Sequence, residues 1–383
     1  MRFEFATANR ILFGPGTCAE VPGLARSLGQ RAFLVSDSQE RAAGLLDALV
    51  AQGLSPVLFL VDGEPSIKSI SAVTRTYLDL GCDLVVGFGG GSALDTGKAV
   101  AALAANPGGP LDYLEVVGAG RVLEKASAPY IAIPTTAGTG SEVTRNAVIT
   151  VPEKRIKASL RSPFMLPRIA VVDPELTYSL PPPVTASTGM DALTQLIEPF
   201  VCNSPTSLTD AVCREGIQRV ARSLRRACED GKNPAAREDM SLASLFGGMA
   251  LANARLGAVH GMANPIGGMS HAPHGAVCAR LLPLVMETNL KALHARLPDS
   301  PAIARYTEVA RLLSGNENAT AEDGAAWVRD LCQTLNIRPL AEYGLKTEDY
   351  PALVEQSQKA NSMKGNPVAL TNVELMAVLA EAA

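Results

Sequence analysis

The stretch HGMANPIGGMSHAPH, from His260 to His274, holds three of the four histidines in a chain of 383 residues. Imidazole is the commonest side-chain metal ligand and the natural proton carrier near neutral pH. Crowding His260, His271 and His274 together therefore points to metal binding or to acid–base work. Two imidazoles do not complete a site, and a carboxylate has to come from elsewhere. GMDALTQLIEPF (189–200) offers Asp191, with Gln195 four residues on, a spacing that puts both on one helical face. Two neutral imidazoles and one carboxylate suit zinc or ferrous iron. Each residue also has a plainer reading: Asp191 as a helix N-cap, His260 as a hydrogen-bonded core histidine, His271 bonded within its own loop. His294, beside Lys291 and Arg296, reads as solvated surface.

A second chemistry is written further upstream. VVGFGGGSALDTGKAVAAL (85–103) is a strand, a glycine-rich turn and a helix. Such a turn lets backbone N–H groups approach a phosphate at the positive end of a helix. Ser92 stands where the Rossmann and Walker patterns both need glycine, and Ala99 replaces the Walker Ser/Thr, so neither pattern is met. A tight strand-to-helix turn is the plainer alternative. PTTAGTGSE (134–142) follows another strand with small hydroxyls and two glycines. Two such turns after parallel strands would share the carboxyl edge of a sheet, where ligands of these folds bind. Asp37, ending RAFLVSD, is placed for a ribose diol and would repel a 2′-phosphate, favouring NAD(H) over NADP(H). Its alternative role is to cap the helix SQERAAGLLDALVA. Arg145, just after the second turn, is a candidate contact for an anionic group, with a surface salt bridge as the alternative.

The elements that must hold these residues divide near 180. RAFLVSD, PVLFLVD, CDLVVGFGGG, YIAIPTT and RIAVVDP read as buried strands of a mainly parallel sheet, separated by helical segments that end in glycine. That rhythm predicts an α/β nucleotide-binding domain over 1–180. Past the PPPV at 181–184 the pattern becomes helical, which predicts an all-helical C-terminal domain over 181–383. SLASLFGGMALANARLGAVHGMA reads as one long helix carrying His260 near its end, and His274 opens the next.

Composition bounds the function classes. Hydrophobic residues make up 47% and charged residues 19%, with a formal net charge of −4, which argues against a nucleic-acid surface or a basic membrane-binding face. The opening MRFEFATANRILFGPG lacks a basic segment followed by an apolar one, so no secretory signal is expected. No run reaches membrane-spanning length. Seven widely spaced cysteines without a C-x-x-C suit a reducing cytoplasm better than disulfides.

Taken together, FGGGSALDTGKAVA, IPTTAGTGSEVT, GMDAL…IE, NARLGAVHGMANPIGG with PHGAVCARLLP, and SMKGNPVALT resemble the iron-containing (group III) alcohol dehydrogenase family over nearly the whole chain. The resemblance implies an architecture like that of the dehydroquinate synthases, with NAD(P) on the α/β domain, a divalent metal on the helical domain, and the active site in the cleft. It places Gly89, Gly90, Gly91, Ser92 and Asp95 around the pyrophosphate side of the cofactor. Thr135, Thr136, Thr139, Ser141 and Val143 would supply further cofactor contacts, with Lys157 near the nicotinamide ribose. Asp191, His260 and His274 match the family's metal ligands. Its fourth ligand, a histidine four residues after the aspartate, is Gln195 here, and a histidine linked to proton transfer is Asn264.

Gln195 offers a neutral carbonyl oxygen, a weaker donor than imidazole; without it the metal would keep three protein ligands plus water. Asn264 cannot relay a proton, which leaves His271 as the candidate substitute acid/base beside Asp191. The expected function is NAD(H)-dependent, metal-assisted interconversion of a small alcohol and its aldehyde or ketone, with one Fe2+ or Zn2+, by a homodimer. The alternatives are a metal-independent, maleylacetate-reductase-like enzyme and a non-catalytic nucleotide-binding relative. A metallohydrolase or an iron oxygenase would leave both glycine-containing turns without a purpose.

Overall fold

The computed structural model describes residues 2–383. Contacts divide the chain into two compact units. One comprises Thr7–Thr136 and Gly140–Thr177; the other comprises Tyr178–Ala383 with Ala137–Thr139 and the segment ending at Ala6.

The first unit is α/β. Its strands are β1 (Arg10–Phe13), β2 (Ala32–Ser36), β3 (Val57–Leu60), β4 (Leu84–Gly89), β5 (Tyr130–Pro134), β6 (Asn146–Val151), β7 (Ile156–Arg161) and β8 (Ile169–Val172). Its helices are α1 (Val21–Leu28), α2 (Gln39–Ala51), α3 (Ile67–Asp79), α4 (Gly91–Ala105) and the single turn α5 (Pro110–Tyr113). Six strands form one parallel sheet in the order β1-β8-β5-β4-β2-β3. Every residue of β2, β4 and β5 is buried, as expected of near-continuous apolar runs covered on both faces. From β2 the chain steps outward to β3, then returns to β4 on the other side of β2 and continues through β5 to β8. The gap between the ends of β2 and β4 is therefore the point where strand order reverses, the usual ligand position in open α/β sheets. Two features are absent from the sequence reading: the edge strand β1, and the antiparallel hairpin β6–β7.

The second unit is helical: α6 (Pro182–Val201), α7 (Ser207–Glu229), α8 (Pro234–Asn253), α9 (Ala258–Met269), α10 (His274–Arg296), α11 (Pro301–Ser314), α12 (Ala321–Thr334), α13 (Tyr350–Lys359) and α14 (Asn372–Ala382). Among the described residues no strand follows β8, and no single helix is long and apolar enough to cross a membrane. Fifteen of the twenty residues of α6 are buried, so this is a core helix rather than an amphipathic one. The polar side chains it carries inward, Asp191, Gln195 and Glu198, must find partners or pay for desolvation.

The long helix expected through His260 is two helices. α8 stops at Asn253, residues 254–257 turn the chain, and α9 departs at 97° with His260 in its first turn. The break is imposed from the SMKGNP segment. A Cβ at Gly365 would stand 2.1 Å from the Leu256 carbonyl oxygen, so only glycine lets that backbone press against the turn. Gly257 is similarly confined, with a Cβ there meeting Glu198 Oε1 at 2.8 Å and Asn366 Oδ1 at 2.9 Å.

Candidate functional site

Within the helical unit three helices bring ligand-type atoms together. Asp191 comes from the middle of α6, His260 from the first turn of α9, and His274 is the first residue of α10. Asp191 Oδ1 lies 3.6 Å from His260 Nε2 and 3.7 Å from His274 Nε2. A fourth donor, Cys278, stands one helical turn after His274, with Sγ 3.6 Å from His274 Nε2 and 3.9 Å from His260 Nε2. All four ligand atoms lie within 4.8 Å of one another. Asp191 is an interior helix residue, so its reading as an N-cap is wrong.

The second set of contacts is organised around the start of α9. The first N–H groups of a helix lack intrahelical partners and favour a negative charge nearby. Here Asn366 Oδ1 accepts from Ala258 N (3.1 Å), Glu198 Oε1 from Val259 N (2.7 Å), and Glu198 Oε2 from His260 N (3.4 Å). The same Oε2 lies 2.6 Å from His260 Nδ1. A carboxylate there fixes a proton on Nδ1, so that Nε2 is the nitrogen that faces Asp191, His274 and Cys278 and would give up its proton to bind a metal. His260 is thus hydrogen-bonded and buried, but its other nitrogen is committed to the cluster.

Electrostatics follow the geometry. Burial opposes a charged His260, yet Cys278, Asp191 and Glu198 outweigh it and hold its pKa well above the usual value. Burial pushes the Asp191 carboxyl up, but His274, His260 and Cys278 bring it below its ordinary range. Burial raises the Cys278 thiol to about 12.

A cation fits these residues. Asp191 Oδ1 is buried with no hydrogen-bond partner among the described residues, although two imidazoles flank it. Separations of 3.6–3.7 Å are long for hydrogen bonds but suit donors around a shared ion. Gln195 is buried on the same helix one turn on; its Oε1 also lacks a partner and is turned toward Gly247 of α8.

His271 is not drawn into the cluster. It is exposed in the α9–α10 loop, where its backbone N–H donates to the Tyr343 carbonyl (3.0 Å). Asn264 lies one turn beyond His260 in α9 and is half-buried. His294 is exposed, with Nε2 3.0 Å from Glu322 Oε1.

In the α/β unit the two polar turns sit side by side. Gly89 pairs with Pro134 across β4 and β5, and Thr135 N donates to the Gly89 carbonyl (2.9 Å). Asp37 meets the glycine turn at the reversal point, where its Oδ2 accepts from Gly90 N (2.9 Å) and its Oδ1 from Arg41 (2.6 Å). A Cβ at Gly89 would strike Ala93 Cβ at 2.7 Å and Asp37 Oδ2 at 2.8 Å, which is why the turn begins with glycine. Asp37 does not cap α2; Ser38 does, accepting from Arg41 N. The start of α4 has no side-chain cap, so its first amides, with half-buried Gly91 and Ser92, remain available to an anion.

Several residues expected around a cofactor are occupied within the protein. Asp95 accepts from Ser141 Oγ (2.6 Å) and from Val148 N (2.8 Å). Fully buried Lys98 donates to the Ser141 carbonyl and hydroxyl, to Thr144 Oγ1 and to the Asn146 carbonyl, at 2.7–2.9 Å. Burial lowers its pKa to about 8 and raises neighbouring Glu142 to about 7. Thr135 and Val143 are buried, Thr136 and Thr139 half-buried, and Thr139 belongs with the helical unit. Lys157, buried on β7, donates to Glu64 (2.7 Å). Arg145 is half-buried, with Nε lacking a hydrogen-bond partner among the described residues. The sequence reading overlooked Cys278, Glu198 and Lys98. The His274-x-x-x-Cys278 spacing was the available signal for the first, since it puts both on one helical face.

Comparison with known proteins supplies the family. The model of the iron-containing alcohol dehydrogenases matches residues 8–174, and that of the Fe-containing alcohol dehydrogenase C-terminal region matches 185–383. Alcohol dehydrogenase 4 of Saccharomyces cerevisiae is 37% identical over 377 residues, covering 97% of this chain and 96% of that protein. The crystal structure of a 1,3-propanediol oxidoreductase superposes with a TM-score of 0.91 at 33% identity, covering both chains completely. Sulfoacetaldehyde reductase of Bifidobacterium kashiwanohense, solved with NAD+, gives a TM-score of 0.86 at 30% identity and covers 100% of this chain and 99% of that one. Its two family models and its likeness to these proteins along almost its whole length show that the chain belongs to the iron-containing alcohol dehydrogenase family.

Proposed function

We propose that the protein is an NAD(H)-dependent oxidoreductase that interconverts a small alcohol with its aldehyde or ketone. The carrying observation is the convergence of Asp191 Oδ1 with His260 and His274 Nε2 in a chain of this family. A divalent metal held by these residues, iron or zinc, supplies Lewis acidity toward the substrate oxygen. Glu198 keeps His260 in the tautomer that presents Nε2 and seats the ring against the start of α9. At the α/β unit, the uncapped amides of α4 take the pyrophosphate, and Asp37 takes the ribose diol and repels a 2′-phosphate, which supports NAD(H) over NADP(H). In the oxidative direction the substrate gives a hydride to NAD+ and its hydroxyl proton to solvent. His271, exposed three residues before His274 and outside the cluster, is the residue this reading assigns to carry that proton.

Seven unpaired cysteines support a reducing, cytoplasmic location. The net charge of −4 supports a small-molecule partner rather than nucleic acid or a membrane surface. Likeness to the family alone supports a homodimer. The test is NADH consumption, followed at the nicotinamide absorbance, with a panel of short aldehydes and ketones. Turnover with at least one is expected. Tight NADH binding with no oxidation by any of them would leave a nucleotide-binding relative without this chemistry.

A further inference from the structure

Resting on the reading of a metal centre at Asp191, we propose that Cys278 Sγ is the fourth protein ligand, which makes this an Asp-His-His-Cys site selective for zinc. A tetrahedron with zinc–nitrogen and zinc–oxygen bonds of about 2.0–2.1 Å and a zinc–sulfur bond of about 2.3 Å has edges near 3.4 Å between N and O and near 3.6 Å between N and S. The corresponding edges here are 3.6 and 3.7 Å from Asp191 Oδ1 to the two imidazoles, and 3.6 and 3.9 Å from Cys278 Sγ to the same two nitrogens. The sulfur therefore sits at a corner of the polyhedron, not behind it. The last two edges fall within the 4.8 Å that encloses the set.

Two independent features point the same way. Asp191 Oδ1, in a residue 1% exposed, faces the cluster without a hydrogen-bond partner. Cys278 is fully buried, and its Sγ faces the two imidazoles and lies within 4.8 Å of the Asp191 ligand oxygen. Gln195 is not needed to complete four donors.

The chemistry of the set decides the metal. A thiolate is a soft donor that favours zinc over ferrous iron, and zinc accepts two nitrogens, one oxygen and one sulfur; with four protein donors in place, the substrate oxygen would enter as a fifth ligand, an expansion open to catalytic zinc. Asp191 and a Cys278 thiolate together balance a divalent charge inside a buried site, where net charge is costly, while the charge of Glu198 is met by the backbone N–H groups at the start of α9.

The test is cobalt(II) titration of protein stripped of metal, because a cobalt–thiolate bond gives an intense near-ultraviolet charge-transfer band and nitrogen and oxygen ligands do not. The band is expected to grow to one equivalent per chain in the unmodified protein and to be absent from Cys278→Ser. Zinc affinity of that variant should fall by more than about 100-fold, beyond the 10–100-fold typical for losing an outer partner of a ligand. X-ray absorption of the zinc-loaded unmodified protein provides a check independent of the variant's folding, with one sulfur at about 2.3 Å expected. Uptake of one equivalent without the band, a band that survives in Cys278→Ser, or a zinc shell without sulfur overturns the thiolate ligand and leaves the metal centre standing. Absence of any cobalt or zinc uptake overturns both.

Discussion

Glu198 Oε2 lies 2.6 Å from His260 Nδ1, while the same carboxylate accepts the backbone N–H groups of Val259 and His260. One side chain thus ties the start of α9 to α6 and sets the face of the imidazole that meets the cluster. Replacing it should damage metal binding without removing a ligand. Glu198→Gln is expected to weaken zinc binding by about 10–100-fold in a chelator competition, with NADH affinity unchanged. Unaltered zinc affinity would mean that His260 is held well enough by packing alone.

The glycine turn offers a test on the other unit. Gly89→Ala places a methyl 2.7 Å from Ala93 Cβ and 2.8 Å from Asp37 Oδ2. The turn must open, at a cost of about 1–3 kcal/mol in stability. NADH affinity is expected to fall about tenfold or more, while metal uptake by the helical unit stays at one equivalent. Full NADH affinity in a folded variant would place the cofactor elsewhere.

Asp37 should decide which nicotinamide cofactor is used. Like charges about 4 Å apart near a protein surface repel by roughly 4 kcal/mol, and the ion pair of Asp37 with Arg41 at 2.6 Å offsets part of that. Asp37→Ser is therefore expected to raise kcat/KM with NADPH relative to NADH by at least about tenfold. The same substitution removes an acceptor from Gly90, so some loss with NADH is also expected.

His271→Gln separates proton handling from metal binding. Metal content and NADH affinity should be unchanged, because the ring stands outside the cluster. A fall in kcat of roughly 100-fold is the expected size for losing a general acid or base. Unchanged kcat across pH would leave the proton to water.

The buried pair beside the second loop gives a pH signature. The Glu142 pKa is raised to about 7, so its favourable contribution is complete below about 4.5 and is lost as pH rises through 7. Lys98, lowered to about 8, contributes fully only above 10.5, and that stability is lost as pH falls through 8. Both groups are therefore unfavourable near pH 7–8. Glu142→Gln should remove the loss between pH 5 and 7, which amounts to roughly 2–4 kcal/mol. Thermal unfolding of both proteins across that range measures it; parallel curves would contradict the assignment.

The sequence carries some of these features and hides others for physical reasons. Asp191, His260 and His274 are legible because few other roles suit a carboxylate and two imidazoles in alanine-rich helices. The strands β2, β4 and β5 are legible because burial on both faces forces continuous apolar runs. The break between α8 and α9 is not, because ANARLG contains good helix formers. It is set by Gly365 and by Asn366, which is 108 residues from the Ala258 N–H it caps. Cys278 is hidden because a cysteine in an apolar helix is ordinarily core; His274 one turn earlier is its only polar neighbour visible along the helix, and the approach of α6 and α9 adds Asp191 and His260. Lys98 looks like part of a phosphate loop in the string GKA. Its ammonium instead turns inward to hold the second loop at Ser141 and Thr144.

The central claim is that catalysis depends on a metal at Asp191, His260 and His274. Stripping the protein with a chelator and returning zinc stepwise, with aldehyde-dependent NADH oxidation followed at each addition, tests it most directly. Activity lost on stripping and restored along a line that breaks at one equivalent per chain is the predicted result. Full activity in protein shown by elemental analysis to hold no metal would contradict the account and assign the chemistry to protein acids and hydrogen-bond donors alone.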